Sequence, residues 1–344
     1  MRKKVIIIGG GVAGMEAAGQ LSAQKLEVVL LEKQAMLGGN LLNWDRLFPT
    51  RRDSAEVLDY LTKGIGSDIN VQLDAEITDV KKDGIEFRVT LKDGRTFNSD
   101  ALLLANGFEL FDARKKEEYG FGIYENVISS AELEEFFRKN KHPDLFAGIQ
   151  SKRVGIVHCV GSRDEKVGNL YCSKLCCVTG VKQAIEIKEL LPDAEIFSFY
   201  MDLRMFDRHF EEMYYEAQQK WGIHFIRGRL SEASENPDQT ILIKVEDTLT
   251  GLPLKMTVDL LILLVGFVPR PETKEIADQL NLNIGDDGFL SPEDVHTAGN
   301  STNIPGVFLC GTLKGPGSIE NTIADARAAA LQVASYLNEK GSRQ

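Results

Sequence analysis

Apolar residues in this chain gather into short runs that end at glycine. The first, Lys4-Val5-Ile6-Ile7-Ile8, is long enough for one buried strand and enters Gly9-Gly10-Gly11-Val12-Ala13-Gly14. Helical spacing follows and predicts an amphipathic helix from about Ala13 to Gln24. A second run, Glu27-Val28-Val29-Leu30-Leu31-Glu32, then predicts another buried strand. In a strand–turn–helix context the first glycine permits the tight turn and the second lets a pyrophosphate approach the backbone. The third lets the helix pack on the strand. Glu32 ends the second strand 18 residues after Gly14, where an acidic side chain meets the ribose hydroxyls of a dinucleotide.

Beyond this unit, residues near Ile69 to Val80, Ile85 to Leu91 and Arg95 to Phe97 alternate as short strands, with Lys92-Asp93-Gly94 as a hairpin turn. A polar, partly helical stretch runs from Phe111 to about Gln150. From about Ser151 the pattern predicts a strand Arg153 to His158, a helix Thr179 to Leu191, a strand Glu195 to Tyr200 and a helix Phe210 to Lys220. Strands His224 to Arg227, Ile241 to Val245 and Met256 to Leu264 follow, the last two joined at Thr250-Gly251. Gly266-Phe267-Val268-Pro269-Arg270-Pro271 marks the return to the first domain, which a last strand and a helix Ile319 to Tyr336 complete. The expectation is an α/β chain of two Rossmann-like three-layer domains, the second inserted in the first. Residues 1–150 and 268–344 form the outer domain and residues 151–267 the inserted one.

Composition narrows the function. The 344 residues, 43% hydrophobic and 26% charged, suffice for two cores. A net charge of −11 without a basic stripe speaks against nucleic-acid binding. The longest apolar run, around Leu260 to Val268, falls short of the ~18 residues of a membrane span. The opening Met1-Arg2-Lys3-Lys4 leads into a strand too short for an export signal, so a cytoplasmic location is expected, where thiols stay reduced.

Those thiols are unevenly placed. Of five cysteines, Cys159, Cys172, Cys176 and Cys177 fall within 19 residues, and Cys310 stands apart in an apolar strand as a small core hydrophobe. Four thiolates from one loop and one helix start can surround an iron–sulfur centre or a structural zinc, and free thiols are the third reading. The absence of any Cys-x-x-Cys pair weighs against zinc. The five histidines show no ligand spacing, and His158 reads as a strand-end residue.

Glu32-Lys33, Gly38-Gly39-Asn40, Phe48-Pro49-Thr50, Ser99 to Gly107 and Ile304 to Thr312 together resemble the FAD-binding half of the thioredoxin reductase and glutathione reductase superfamily. The resemblance implies FAD at Gly9, Gly11, Val12, Ala13, Gly14, Glu32, Lys33, Gly39, Asn40, Ile77, Ala105, Asn106, Gly107, Gly311, Thr312 and Ile319. Thr312 stands where that superfamily has an aspartate. It also implies that the closing helix from Ile319 points its N-terminus at the flavin, with Lys314 as a candidate helper. The middle domain would bind NAD(P)H in such proteins, but here its first strand ends in His158-Cys159-Val160-Gly161-Ser162, with Gly161 alone.

The spacing Cys-x12-Cys-x3-Cys-Cys, set in Cys159-Val160-Gly161-Ser162-Arg163-Asp164 and Tyr171-Cys172-Ser173, is similar to that of the A-type subunits of heterodisulfide reductase. So are Tyr200 to Arg204, Phe225 to Arg229 and Val245 to Thr248. This resemblance implies a [4Fe–4S] cluster on Cys159, Cys172, Cys176 and Cys177. Without it, the loop is expected to lie loosened around free thiols. The chain has no cysteines for the added ferredoxin modules of methanogen-type subunits, and so is similar to a short form from sulfur-oxidising complexes, with the quinone-interacting relatives of sulfate reducers as a second possibility. The implied partners are heterodisulfide reductase-like subunits B and C and a lipoate-binding protein, with a homodimer as the assembly. The expected role is an electron-transfer subunit joining two-electron to one-electron flow. The alternatives are a stand-alone NADH-dependent flavin oxidoreductase and a flavin-bound assembly scaffold.

Overall fold

The computed structural model describes residues 2–140 and 152–342 and divides into two compact units. The first comprises Met1–Leu42, Ala55–Glu109 and Val268–Gln344, the second Asn43–Ser54 and Leu110–Phe267. The boundary expected at residues 150 and 151 lies outside the described residues. The chain leaves the first unit after Glu109 instead. The reason is pairing: strand Val127–Ser129 aligns parallel with strand Leu260–Val265, Ile128 opposite Ile262, and so belongs to the second sheet. Phe48, read above with the flavin segments, also lies in the second unit, edge-on to Phe210 at 5.5 Å.

In the first unit a parallel sheet runs in the order Val307–Leu309, Ala101–Leu104, Lys4–Ile8, Glu27–Leu31, Asn70–Gln72. Both faces of its central strand are covered, which explains the unbroken apolar run. Val5 and Ile7 face a core shared with Ala17 and Leu21 of helix Val12–Ala23 and with Ala326, Ala330 and Val333 of helix Ile319–Ser342. Ile6 and Ile8 face a core shared with Val80, Phe87 and Val89 of a small antiparallel sheet and with Ile276 and Leu280 of helix Pro271–Leu280. The result is the three-layer α/β arrangement.

The second unit repeats the plan in the order Val127–Ser129, Leu260–Val265, Arg153–Val160, Glu195–Tyr200, His224–Arg227, all parallel. Helix Cys176–Leu190 covers one face through Val181, Ala184 and Ile185 against Ile156 and Ile262. Two expected strands are each split. Met256 to Leu264 becomes Leu252–Val258, in an antiparallel hairpin, and Leu260–Val265, because the Asp259 carboxylate turns to accept the Arg153 amide at 2.7 Å. Ile69 to Val80 becomes Asn70–Gln72 and Ile77–Asp83 around Asp74, whose φ is +51°.

Charges are buried in the second unit as a closed set. Lys182 on helix Cys176–Leu190 meets Glu134 and donates to the Arg46 carbonyl at 2.9 Å, with Glu186 3.3 Å away. One lysine cannot neutralise two carboxylates, and burial pushes Glu186 up to about 7, helped by Glu134 and opposed by Lys182 and Arg46. An unfolded glutamate releases its proton near 4.5, so between these values the folded state binds the proton more tightly. This contribution to stability is complete below pH 4.5 and is lost as pH rises through about 7. Glu186→Gln should therefore gain about 2–3 kcal/mol over the wild type on going from pH 5 to pH 8. Urea midpoints of both proteins at the two pH values check this, and parallel midpoints would refute it.

Candidate functional site

Two constellations carry chemistry, one in each unit. In the first, the glycines of the opening turn divide by what requires them. Gly9 has φ +109°, and a Cβ there would lie 2.5 Å from the Ala105 carbonyl oxygen; a Cβ on Gly14 would lie 1.8 Å from the Gly9 carbonyl oxygen. The fold itself needs these two. Gly11 is extended (φ −79°, ψ −168°), and a Cβ there would meet nothing nearer than the Gly39 Cα at 3.9 Å. Nothing in the chain demands glycine at position 11, so the open approach to its backbone is left for a ligand. Gly11 also caps helix Val12–Ala23 without a side-chain bond, and no acid occupies the helix's first turn. Those free amides and the helix dipole suit an anion such as a pyrophosphate.

The other expected residues gather around this turn. Gly39 (φ +55°) abuts Gly11, its would-be Cβ 3.0 Å from the Gly11 Cα; that of Gly311 (φ +77°) is 2.7 Å from the Ala13 methyl. Gly107 faces the Thr312 hydroxyl at 3.6 Å by the same measure. Glu32 is buried at its strand end, one carboxylate oxygen accepting from the Gly10 amide at 2.6 Å and the other from Gln34 at 2.8 Å. The Asn40 amide donates to the Phe108 carbonyl at 3.3 Å. Ile77 lies two residues beyond Ala75, whose amide donates to the Glu32 carbonyl at 2.8 Å. Ile319 is the first residue of the closing helix. Lys314, expected as a helper, is otherwise engaged: it pairs with Asp325 at 2.6 Å and donates to the Gly299 carbonyl at 2.8 Å.

The sequence reading missed three residues. Thr273 accepts from the Asn106 amide at 2.6 Å, and Glu272 pairs with Lys33 at 2.6 Å. Arg270 reaches Glu109 at 3.5 Å. Asn106 Oδ1, Arg270 Nε and Glu272 Oε2 are buried without hydrogen-bond partners, an unmet polar demand that a bound molecule could satisfy. The signal was Pro271, whose place at the first turn marks a helix start.

In the second unit, the cysteines sit on a coiled backbone. Cys159 (φ +60°) lies within a register shift between Val157 and Val160 of strand Arg153–Val160, and Gly161, Arg163 and Lys174 also have positive φ. Cys176 and Cys177 are the first two residues of helix Cys176–Leu190, whose start has no side-chain cap. All four thiols are free and three are buried. Burial pushes Cys159 up to about 12, with Cys177 and Cys172 adding to the rise. Burial likewise carries Cys176 well above the usual thiol range, reinforced by Cys159, Cys177 and Cys172. Ionised, the four sulfurs would repel one another. Among the described residues, no three His, Cys, Asp or Glu side chains are gathered so as to hold a metal ion.

The surroundings supply donors. The Lys174 amide points at Cys172 Sγ at 3.3 Å, while Ser162 Oγ and Arg163 Nη1 are buried without partners. The donor set, four thiols with a helix start and unpaired donors, fits an anionic thiolate-bound cluster. The expected loosening is not seen. Arg163 and Tyr171, and Asp164 and Asn169, are joined through their backbones, and Asp164 is clamped by Lys116 at 2.7 Å and Arg229 at 2.6 Å. These bonds fix the loop from outside the thiols. His158 is held by Ser198 at 2.8 Å and lowered to about 3 by burial, so it is neutral. Cys310 is fully buried, as a packed core residue should be. Where a second nucleotide turn would need room, the Phe111 ring lies 2.0 Å from the would-be Cβ of Gly161.

Comparison with known proteins places this arrangement. The pyridine nucleotide-disulphide oxidoreductase family matches residues 3–107 and 177–332. An A-type iron-sulfur subunit of the CoB–CoM heterodisulfide reductase of Methanopyrus kandleri is 31% identical over 96% of this chain and 64% of its own length. The A-type subunit of the H(2):CoB-CoM heterodisulfide,ferredoxin reductase of Methanothermobacter marburgensis is 30% identical over 96% of this chain and 63% of its own length. The chain thus spans a little under two thirds of these relatives. Among solved structures, Lactococcus lactis thioredoxin reductase superposes with a TM-score of 0.69 at 18% identity, covering 98% of this chain and all of that one. Bacillithiol disulfide reductase of Staphylococcus aureus gives 0.65 at 16% identity, covering 99% of each. No described helix is long and apolar enough to cross a membrane. The glycine cradle, the paired parallel sheets and these matches agree: the chain belongs to the pyridine nucleotide-disulphide oxidoreductase family, as an oxidoreductase homologous to the A-type subunits of heterodisulfide reductase.

Proposed function

We propose that this protein is a flavin- and iron–sulfur-dependent electron-transfer component of a heterodisulfide reductase-like complex. Four electrostatically coupled thiols, two of them opening an uncapped helix, with unpartnered buried donors on the same loop, carry the proposal. When bound, FAD supplies two-electron chemistry whose electrons can leave singly, and a [4Fe–4S] cluster carries one at a time. The chain's own residues set the conditions. Gly11 and the first turn of helix Val12–Ala23 would hold the pyrophosphate, Glu32 the ribose, and Ala105, Asn106, Gly107, Gly311 and Thr312 the remainder of the flavin. Cys159, Cys172, Cys176 and Cys177 would ligate the cluster, which must draw protons from Cys159, Cys176 and Cys177 against the burial that raises them.

Substrate chemistry on a disulfide or persulfide then falls to partner subunits of the B and C type and to a lipoate-binding protein, with a homodimer as the working assembly in the cytoplasm. The family match favours one second reading, direct reaction with a pyridine nucleotide. Phe111 packed on Gly161 opposes it, and rapid bleaching of the bound flavin by NADH would establish it.

Gly11→Ala and Gly11→Val should fold and lose flavin progressively, because the fold accepts a side chain at position 11 and the ligand does not. Gly14→Ala should fail to fold, since its Cβ overlaps the Gly9 carbonyl. Absorbance near the flavin bands and circular dichroism separate these outcomes. Full flavin in folded Gly11→Val would remove the FAD assignment.

For the cysteines, anaerobic reconstitution should yield about four iron and four sulfide per wild-type chain, and far less in Cys176→Ser. Metal analysis and EPR after reduction check this. A wild-type chain that takes up zinc but no iron would end the electron-transfer reading and leave the scaffold alternative.

A further inference from the structure

We infer that Ser162 and Arg163 donate hydrogen bonds to the sulfur atoms of the iron–sulfur centre, and that Arg163 sets its reduction potential. The inference rests on the cluster proposed above and concerns residues that no ligand assignment includes. Ser162 is fully buried, and its hydroxyl has no hydrogen-bond partner of normal geometry. Its amide donates to the Cys159 carbonyl at 3.4 Å, and its hydroxyl shares a pocket wall with Ser173, the residue after Cys172, which puts it at the cysteine loop. Its neighbour Ser173 has the same kind of side chain in the same pocket wall, both hydroxyls within 3.1 Å of the would-be Cβ of Gly266, yet Ser173 is satisfied by the Phe267 amide at 2.9 Å. The local backbone therefore supplies bonds where it can, and leaves the Ser162 hydroxyl for something else.

Arg163 shows the same asymmetry within one guanidinium. Nη2 donates to Asp202 at 2.8 Å, which fixes the plane of the group, while Nη1 is buried with no partner. The Asp202 that holds Nη2 also presents its carbonyl to Cys177 Sγ at 3.5 Å, so the guanidinium is held beside the cysteines. The residue is held there by a left-handed backbone (φ +52°) and by its amide bond to the Tyr171 carbonyl at 2.9 Å. A buried donor without an acceptor is costly, and two of them flanking four coupled thiols call for a shared acceptor. Sulfides and thiolates of a cluster are such acceptors.

The consequence is a potential. One-electron reduction adds a unit of negative charge to a centre that is already anionic. A fixed cation and hydrogen bonds to sulfur stabilise that extra charge more than they stabilise the oxidised form, and so raise the potential. Asp202 works through Arg163 as a positioning residue. It also forms an ion pair with Arg227 at 3.5 Å, so the guanidinium is anchored from a strand end outside the loop.

The test uses the full chain, reconstituted anaerobically with iron and sulfide, as wild type, Arg163→Gln, Arg163→Lys and Ser162→Ala. Iron and sulfide content is measured first, then the midpoint potential by EPR-monitored titration with dithionite. Retained iron with a lowered potential in Ser162→Ala and a larger drop in Arg163→Gln supports the inference. Arg163→Lys should recover part of the drop, since it keeps the charge but loses the planar fork. Should Arg163→Gln shed its iron, Arg163→Lys and Ser162→Ala still decide the matter through their potentials. Variants with wild-type iron, potential and EPR spectrum would overturn the inference while leaving the cluster intact. A wild type without iron would instead overturn the cluster reading itself.

Discussion

A Cβ at position 14 would stand 1.8 Å from the Gly9 carbonyl oxygen, and the first unit is built on the absence of that one atom. It lets helix Val12–Ala23 start directly against the end of strand Lys4–Ile8. The helix then lays Ala17 and Leu21 on the sheet while its first amides stay unpaired above the turn. The same closeness brings strand Ala101–Leu104 into place, with Ala105 against Gly9. Packing and binding therefore share a cause. The helix cannot be moved to relieve its open N-terminus without undoing the core beneath it, so the anion-binding end is as rigid as the core.

The second unit keeps the sheet and helix but uses the corresponding position differently. Strand Arg153–Val160 ends in a shifted register, Phe111 fills the space beside Gly161, and the following helix opens on two cysteines. The family match breaks over residues 108–176 and resumes at Cys177. That gap holds Cys159, Cys172, Cys176, and the loop that Lys116, Asp164 and Arg229 clamp. A helix N-terminus favours negative charge whatever carries it. A nucleotide end and a thiolate end can thus be exchanged on one scaffold with the dipole used in the same sense.

How much of this was legible follows from which signals are local. The glycine turn, Glu32, the cysteine spacing and most strands of both sheets could be read because each depends on a few neighbouring residues. Ile69 to Val80 and Met256 to Leu264 were each read as one strand because an apolar run does not say which sheet it joins. Asp74 and Asp259 decide that, through a left-handed turn in one case and a bond to the distant Arg153 amide in the other. Residues 110–140 belong to the second unit through a pairing of Val127–Ser129 that no periodicity announces. Arg270, Glu272 and Thr273 were missed for a related reason. Their importance lies in meeting Glu109, Lys33 and Asn106 across more than 150 residues, and polar residues around a proline look like an ordinary helix start.

The charges around the cysteines run against the rest of the molecule. The chain carries a net charge of −11, yet Arg163 and Arg227 both converge on Asp202 beside Cys177, and Arg204 acts on the Cys177 thiol directly. A lone carboxylate needs no such company, and the Asp202 carbonyl is itself within 3.5 Å of Cys177 Sγ. Protonated thiols are neutral and would gain little from nearby guanidinium groups. The excess of cations makes electrostatic sense only when the sulfurs are anionic, a state that burial alone opposes. On the cluster reading proposed above, burial and cations together would favour thiolates shared with a metal centre. In that reading the metal would bear most of the neutralisation, and the arginines would be left to adjust how readily the centre accepts one more electron.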